Sequence, residues 1–376
     1  MSFKSAVVVT TIGKGEFIER YVQQMTAEGV IESCTLIVIP DRKTPTELYQ
    51  ACENARVSGA NMRCPSLHEQ EDFLNKLGSI SSIIPYNSDN RRNIGYLMAL
   101  DDGCDFIISI DDDNYCITHS PFFREHMVVA ESEIEMESVN SDNGWYNFCE
   151  LLTTGPPSIY PRGFPYHSRH RETATDFRTE KGTVHMNEGL WLQDPDVDAI
   201  TWLSSPPRVD AFDERSVLLG KDTWTPINTQ NTAIAREAMT AFYFLRMGYP
   251  IAGMDIDRYG DIFSGFFCQA CVRHLGHRIR IGAPIVDHIR NSHNHIEDLR
   301  QEFACILLLE DVSEWLRELS LDGTDYPESY LSLADQLEHA VEGFGGSIWN
   351  QAARGYFHQV AYYMRVWVEA VTTIGP

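Results

Sequence analysis

The 376 residues predict an α/β protein: a mostly parallel sheet with helices on both faces, followed by a C-terminal helical extension. Three observations lead there. Short β-branched runs alternate with helical spacing through the first 110 residues. Polar and acidic residues collect just after those runs, at the strand ends where such sheets bind ligands. From about residue 300 onward the pattern is helical.

Residues 6 to 11, AVVVTT, are a β-branched run and read as a buried strand. IGKGEF turns the chain, and EFIERYVQQMTAEG has the apolar spacing of a helix. CTLIVI at 34 to 39 is a second buried strand, closed by PDRKTP. Residues 45 to 57, 68 to 77 and 94 to 103 read as helices, and DFIISI as the next strand. From about 140 to 230 the regular pattern gives way to Pro-, Gly- and aromatic-rich loops with short strands, a length of loop that usually carries function. Three helical stretches close the chain: IEDLRQEFACILLLEDVSEWLREL, YLSLADQLEHAVEGF and IWNQAARGYFHQVAYYMRVWVEAV. The division expected is a catalytic domain over 1–300 and a helical cap over 301–376 packed on it. The apolar VAYYMRVWVEAV face reads equally as core or as a homo-oligomer contact.

Composition sets limits. Hydrophobic content of 43% and charged content of 22% are those of a globular chain. Lys and Arg number 30 against 54 Asp and Glu, a net charge of −24, which argues against a nucleic-acid or anionic-membrane partner. A phosphate-bearing small molecule stays open, because a divalent cation can supply positive charge locally. Nine scattered cysteines form no disulfide framework, so a reducing, cytoplasmic setting is expected. The N-terminus lacks a signal-peptide pattern and no apolar run approaches a membrane span.

The sharpest local signal is FIISIDDDNYC, where a buried strand runs into Asp111, Asp112 and Asp113. Three adjacent carboxylates repel unless something positive sits among them. They suit a hard cation, Mn²⁺ or Mg²⁺, that bridges substrate phosphates. Strand alternation would put Asp111 and Asp113 on one side as metal ligands. It leaves Asp112 for a sugar hydroxyl or a basic neighbour. The competing reading is a solvated acidic turn. Upstream, Arg91 and Arg92 would meet phosphate oxygens. Thr10 and Asp41 fall at the ends of the first two strands, although an Asp before Pro45 is equally a turn residue. Gly13 and Gly15 follow the first strand, but Ile18 stands where a dinucleotide fingerprint needs its third glycine, so neither NAD nor flavin is expected.

RRNIGYLMAL…DFIISIDDDN resembles the nucleotide-sugar half of a GT-A glycosyltransferase, a Rossmann-like fold in which the acidic motif holds the metal and Asp41 would lie near the base or ribose. Further on come PRGFPYHSRHRE, NEGLWLQDPDVDA, NTQNTAIARE, DRYGDIFSGFFCQACVRHLG and DHIRNSHN. This ordered succession, over about residues 85 to 300, resembles the reversibly glycosylated polypeptide family of UDP-arabinopyranose mutases. The resemblance implies a flavin-independent, metal-dependent mutase that interconverts pyranose and furanose nucleotide sugars. It departs at Gly260, where the family's Arg-Tyr-Asp-Asp segment has its first carboxylate. A bacterial branch in nucleoside-antibiotic biosynthesis acts on GDP-L-galactose, which is the favoured substrate here, with UDP-arabinose next. A GT-A glycosyltransferase moving the sugar to an acceptor is the alternative.

By the same resemblance Arg162 is the residue that becomes glycosylated and Arg169 its partner, and His288 is a late metal ligand. A guanidinium with a pKa above ~12 is a poor nucleophile, so a carboxylate must take its proton, with Asp261 and Asp194 as candidates. The competing roles are an electrostatic clamp for Arg162 and a loop-fixing ion pair for Arg169. Cys268, Cys271 and Trp191 read as packing.

Overall fold

In the computed structural model, described over residues 3–155 and 158–375, the chain opens with alternating strands and helices, interrupted once where two helices, α3 and α4, follow each other. They are β1 (Ser5–Thr11), α1 (Phe17–Ala27), β2 (Cys34–Pro40), α2 (Thr46–Val57), β3 (Asn61–Arg63), α3 (Leu67–Leu74), α4 (Arg92–Asp101) and β4 (Phe106–Ile110). Met1 and Ser2 of the N-terminal stretch and Pro156 and Pro157 of the central loops lie outside the described residues. β3, β2, β1 and β4 lie side by side and all run parallel. A Ser66–Glu69 capping box fixes the start of α3.

The middle of the chain adds β5 (Asn114–Cys116), α5 (Phe123–His126), β6 (Ile134–Ser141), β7 (Leu152–Thr154), β8 (Thr175–Gly182) and β9 (Val184–Gln193). It continues through α6 (Ala199–Ser204), β10 (Val209–Phe212), β11 (Val217–Leu219), β12 (Asn231–Ala235), β13 (Tyr249–Ile251) and β14 (Met254–Ile256). α7 (Gly260–His274) and β15 (Arg278–His288) follow, then α8 (His295–Glu318), α9 (Tyr326–Gly343) and α10 (Gln351–Ile374). The large sheet has the order β3-β2-β1-β4-β12-β9-β15-β11-β6-β8. β12 is antiparallel to both β4 and β9, whereas β15 is parallel to β9.

The central region therefore differs from the loop-rich stretch expected over 140 to 230. VHMNEGLWLQ is a ten-residue strand in the middle of the sheet. It escaped notice because a strand buried on both faces loses its alternation, and because Asn187 and Glu188, fully buried, find polar partners instead of solvent.

Two close approaches set the site. Gly95 of α4 lies against β1, where a Cβ would meet Val8 Cγ1 at 2.4 Å. That brings the start of α4, with Arg92, down to the carboxyl ends of β1 and β4. β5 pairs antiparallel with the end of β15, setting Asn114 opposite His288. The residue before Asn114 thereby meets the last residue of β15. The apolar core runs unbroken from the sheet into α7–α10, where Trp367 and Phe357 are fully buried. Among the described residues no helix is long and apolar enough to cross a membrane.

Candidate active site

The acidic triplet lies in a turn just past β4, closed by the Asn114 N–H donating to the Asp111 carbonyl at 3.2 Å. β4 ends at Ile110, so the strand alternation expected to put Asp111 and Asp113 on one side does not run through the triplet. Each carboxylate meets a different partner. Asp111 is turned to Arg92, whose Nη1 also donates to Ser109 Oγ at 3.1 Å and to Thr229 at 2.9 Å. Asp112 accepts from the Thr11 hydroxyl, which in turn accepts from the Gly13 N–H at 2.8 Å. Burial, with the neighbouring charges of Asp113 and Asp111, pushes Asp112 up to about 6. Asp113 Oδ2 faces His288 Nε2 at 3.5 Å.

Asp113 and His288 form the pair that fits a divalent cation. His288 Nδ1 lies 2.5 Å from the Asp194 carbonyl, and only a protonated Nδ1 can donate to a carbonyl. That leaves Nε2 toward Asp113, the tautomer and backing carbonyl usual for a metal-ligating histidine. Without a cation, burial lowers the His288 pKa but Asp113 outweighs it, so the imidazole is raised; Asp113 is correspondingly held low against its own burial. Among the described residues no third His, Cys, Asp or Glu completes a three-ligand group. The remaining positions would fall to substrate oxygens and water, as is usual for Mg²⁺ or Mn²⁺.

A cleft of about 270 Å³ opens beside the triplet, lined by Thr10, Thr11, Asp41, Lys43, Arg91 and Asp112 among others. Asp41 accepts from the Arg42 N–H at 2.6 Å and the Ser88 N–H at 3.3 Å. Arg91 reaches Gln70 and lies 4.0 Å from Asp41, its guanidinium 4.2 Å from the Tyr86 ring centre. Thr10 Oγ1 accepts from Arg92 Nη2 at 3.4 Å. A larger groove of about 810 Å³ between α1 and α2 contains none of the triplet.

The second cluster forms around Arg162, in the loop before β8. Asp196 takes its Nε at 2.8 Å and Nη2 at 3.1 Å. Asp261, in the first turn of α7, takes Nη1 at 3.1 Å and Nη2 at 2.6 Å. The Arg258 carbonyl accepts from Nη1 as well. All five N–H groups of the fork are thus engaged. Burial lowers the guanidinium's pKa, but Asp196 and Asp261 outweigh it and hold it well above the ordinary value. Asp196 is held below the carboxylate range by Arg162 despite burial, whereas burial raises Asp261. Asp194, the other candidate base, is not at Arg162: its Oδ2 accepts the Arg290 N–H at 3.0 Å. Arg169 donates to buried Asp198 at 2.6 Å and to the Phe164 carbonyl, and lies 3.7 Å over Tyr166. That places it in a loop-fixing ion pair. Trp191 packs against Phe148, and Cys268 and Cys271 are buried in α7.

The sequence reading missed Asp196, Asp198 and Glu188. DPDVDA offered a signal for the first two: in extended chain, residues two apart share a side. Asp196 and Asp198 supply one carboxylate to each arginine of the RGFPYHSR segment. Glu188 accepts from the Asn228 N–H at 3.0 Å, and Asn228 Nδ2 donates to Asp196 at 3.1 Å. Burial raises the Glu188 pKa well above its ordinary value, and its Oε1 is buried without a partner among the described residues. The departure at Gly260 has a packing cause. A Cβ there would meet the Leu245 carbonyl at 2.7 Å and Phe244 at 3.0 Å.

The family model described as reversibly glycosylated polypeptide matches residues 6–376. The chain is 25% identical over 368 residues to the probable UDP-arabinopyranose mutase 1 of Pisum sativum, covering 97% of this chain and 89% of that one. It is 24% identical over 374 residues to UDP-arabinopyranose mutase 1 of Oryza sativa subsp. japonica, covering 98% and 91%. Among solved structures, glucosyl-3-phosphoglycerate synthase of Mycobacterium tuberculosis with Mn²⁺, UDP-glucose and glycerol 3-phosphate aligns with a TM-score of 0.40 at 12% identity, over 82% and 80% of the two chains.

Proposed function

The chain belongs to the reversibly glycosylated polypeptide family, and from that premise we propose that it is a flavin-independent nucleotide-sugar mutase interconverting pyranose and furanose forms, with GDP-L-galactose as preferred substrate and UDP-arabinose as the second candidate. Residues 1–300 carry the catalysis and 301–376 form the helical cap.

The observation that carries the reading is Arg162 held between two buried carboxylates. A plain phosphate clamp needs free donors, and this fork has none left. Nη2 instead lies 2.6 Å from Asp261 Oδ2, a carboxylate whose proton affinity burial has increased. As C1 leaves the diphosphate, the electron pair of that C1–O bond goes to the phosphate oxygen. Nη2 bonds C1 and its proton passes to Asp261. Asp261 gives that proton to the ring oxygen as its bond to C1 breaks and the Nη2 lone pair forms C1=N; another hydroxyl of the sugar then adds to C1, closing the smaller ring and returning a proton to Asp261. Return of the phosphate oxygen to C1 expels Arg162, which recovers its proton. Asp196 holds the fork in plane throughout, and Arg169 fixes the loop that carries it. A divalent cation at Asp113 and His288 would neutralise the departing diphosphate. Thr10, Asp41 and Asp112 face the nucleotide, with Arg91 behind Asp41 and Arg92 behind Asp111.

The test is chromatography of GDP-L-galactose and of UDP-arabinopyranose incubated with the protein, with Mn²⁺ or with EDTA. Conversion to a furanose isomer without acceptor, abolished by EDTA, is the expected result. Release of free sugar with no isomer would mean a transferase hydrolysing its donor, and would overturn the mutase reading.

A further inference from the structure

β15 ends at His288, and α8 begins at His295. Between them Arg290 has its backbone N–H fixed on Asp194 and its guanidinium 4.9 Å over the ring of Trp202. Trp202 is stacked in turn on His295, 5.4 Å between ring centres and 6° between planes. Five arginines of the site each have a carboxylate within 4.0 Å: Arg91 has Asp41, Arg92 has Asp111, Arg162 has Asp196, Arg169 has Asp198 and Arg258 has Glu302. Among the described residues the Arg290 side chain has no ion pair and no hydrogen bond, and its Nη1 is buried without an acceptor. The Trp202 indole N–H is likewise buried without one. Two buried donors side by side, both unmatched, are costly unless a ligand supplies the acceptors. The cation–π contact holds the guanidinium in place but offers no acceptor oxygen. Arg290 stands two residues past His288, and its N–H on Asp194 ties it to the segment that carries Asp196, so it lies in the stretch that joins the metal pair to the Arg162 cluster.

We propose that Arg290, seated on Trp202, binds the diphosphate of the nucleotide sugar and retains the nucleoside diphosphate while the sugar is detached. The assignment rests on the nucleotide-sugar reading above. A guanidinium fork matches phosphate oxygens in geometry and charge. Retention matters more here than in a transferase. The C1–O bond that breaks must form again to the same phosphate, so a diphosphate lost between the two events leaves a free sugar and no product.

The test is titration calorimetry of GDP and UDP, in Mn²⁺, on the wild type, Arg290→Ala and Arg290→Lys, with guanosine and uridine as controls. Loss of a charge-assisted contact to phosphate should weaken diphosphate binding about tenfold to a hundredfold. Nucleoside binding should stay unchanged, and Arg290→Lys should recover part of the loss. During turnover, Arg290→Ala should release more free sugar per isomer formed. Should Arg290→Ala not fold, Arg290→Gln is read in the same way. Diphosphate affinity within twofold of wild type, or an equal loss for nucleoside and diphosphate, would overturn the proposal, as would a wild type that binds neither GDP nor UDP. A wild type that binds GDP but makes no isomer, with binding lost in Arg290→Ala, would sink the mutase reading and leave Arg290 assigned.

Discussion

Replacing Arg162 by Met removes the cation between Asp196 and Asp261 and keeps most of the stem volume. Both carboxylates are less than a tenth exposed, so neither can turn to water. Breaking a buried pair from one side typically costs about 3–5 kcal/mol, and that is the loss of stability expected at pH 7. The pH dependence separates this cause from simple loss of packing. In the wild type Asp196 is held low by Arg162 and needs no proton. In the variant its folded pKa rises above the unfolded value of ~3.9, because burial now acts unopposed. A group raised in this way contributes stability at low pH and loses it as pH rises. The deficit should therefore shrink from pH 7 to pH 5, by at most about 2.7 kcal/mol for one carboxyl over two units. Urea unfolding followed by tryptophan fluorescence at both pH values measures it, provided the slopes agree. An equal deficit at pH 5 and pH 7 would refute the claim that Arg162 is the counter-ion of buried carboxylates.

Three further outcomes follow from the same reasoning. His126 is fully buried, accepts from Asn187 at 3.0 Å and faces the Asn231 oxygen at 2.9 Å; burial pushes its pKa down to about 3. Its folded pKa lies below the unfolded ~6.5, so stability is complete above pH 6.5 and falls by about 1.4 kcal/mol per unit toward pH 3; His126→Gln should flatten the acid limb of the urea midpoint by one proton. Gly260→Ala must displace the Leu245 carbonyl, which a Cβ would approach to 2.7 Å, and should cost about 1–3 kcal/mol in stability as overpacking, seen as a lowered melting temperature; an unchanged melting temperature contradicts the packing account. Glu188→Gln keeps an oxygen to accept the Asn228 N–H and, with burial raising the Glu188 pKa, should cost no more than about 1 kcal/mol in stability; a loss of several kcal/mol would show that the native fold needs the ionised carboxylate.

β1, β2 and β4 were legible because each is an apolar run rich in β-branched residues between turn residues, whereas β3, only Asn61–Arg63, carries none and was not read as a strand. The three C-terminal helices were legible from length and spacing. β9 was not, because a fully buried strand that carries Asn187 and Glu188 gives neither alternation nor an apolar run. The site was legible as a set of residue types rather than as pairings. Asp113 and His288 do meet, and Asp261 does reach Arg162. Sequence could not assign Asp111 to Arg92, since the turn that separates the three aspartates is set by backbone geometry. Nor could it choose Asp196 over Asp194 at Arg162, because both lie in the same acidic stretch and only the path of the chain after β9 distinguishes them.

The first helix of the C-terminal part is bound to the RGFPYHSR segment and its surroundings by charge as much as by packing. Glu302 of α8 accepts from Arg258 at 3.0 Å and from the Ala199 N–H at 2.8 Å. Glu310 accepts the backbone N–H groups of Tyr166, at 2.5 Å, and His167, at 3.1 Å. A break in the chain near residue 300 would thus strand Arg258 and release the loop that presents Arg162. The two parts are one unit of inheritance: transplanting the sheet portion alone onto another scaffold would carry over the aspartates and arginines without the acids that keep them in register. Recombination between relatives should succeed only at crossover points that keep α8 together with the arginine loop it holds.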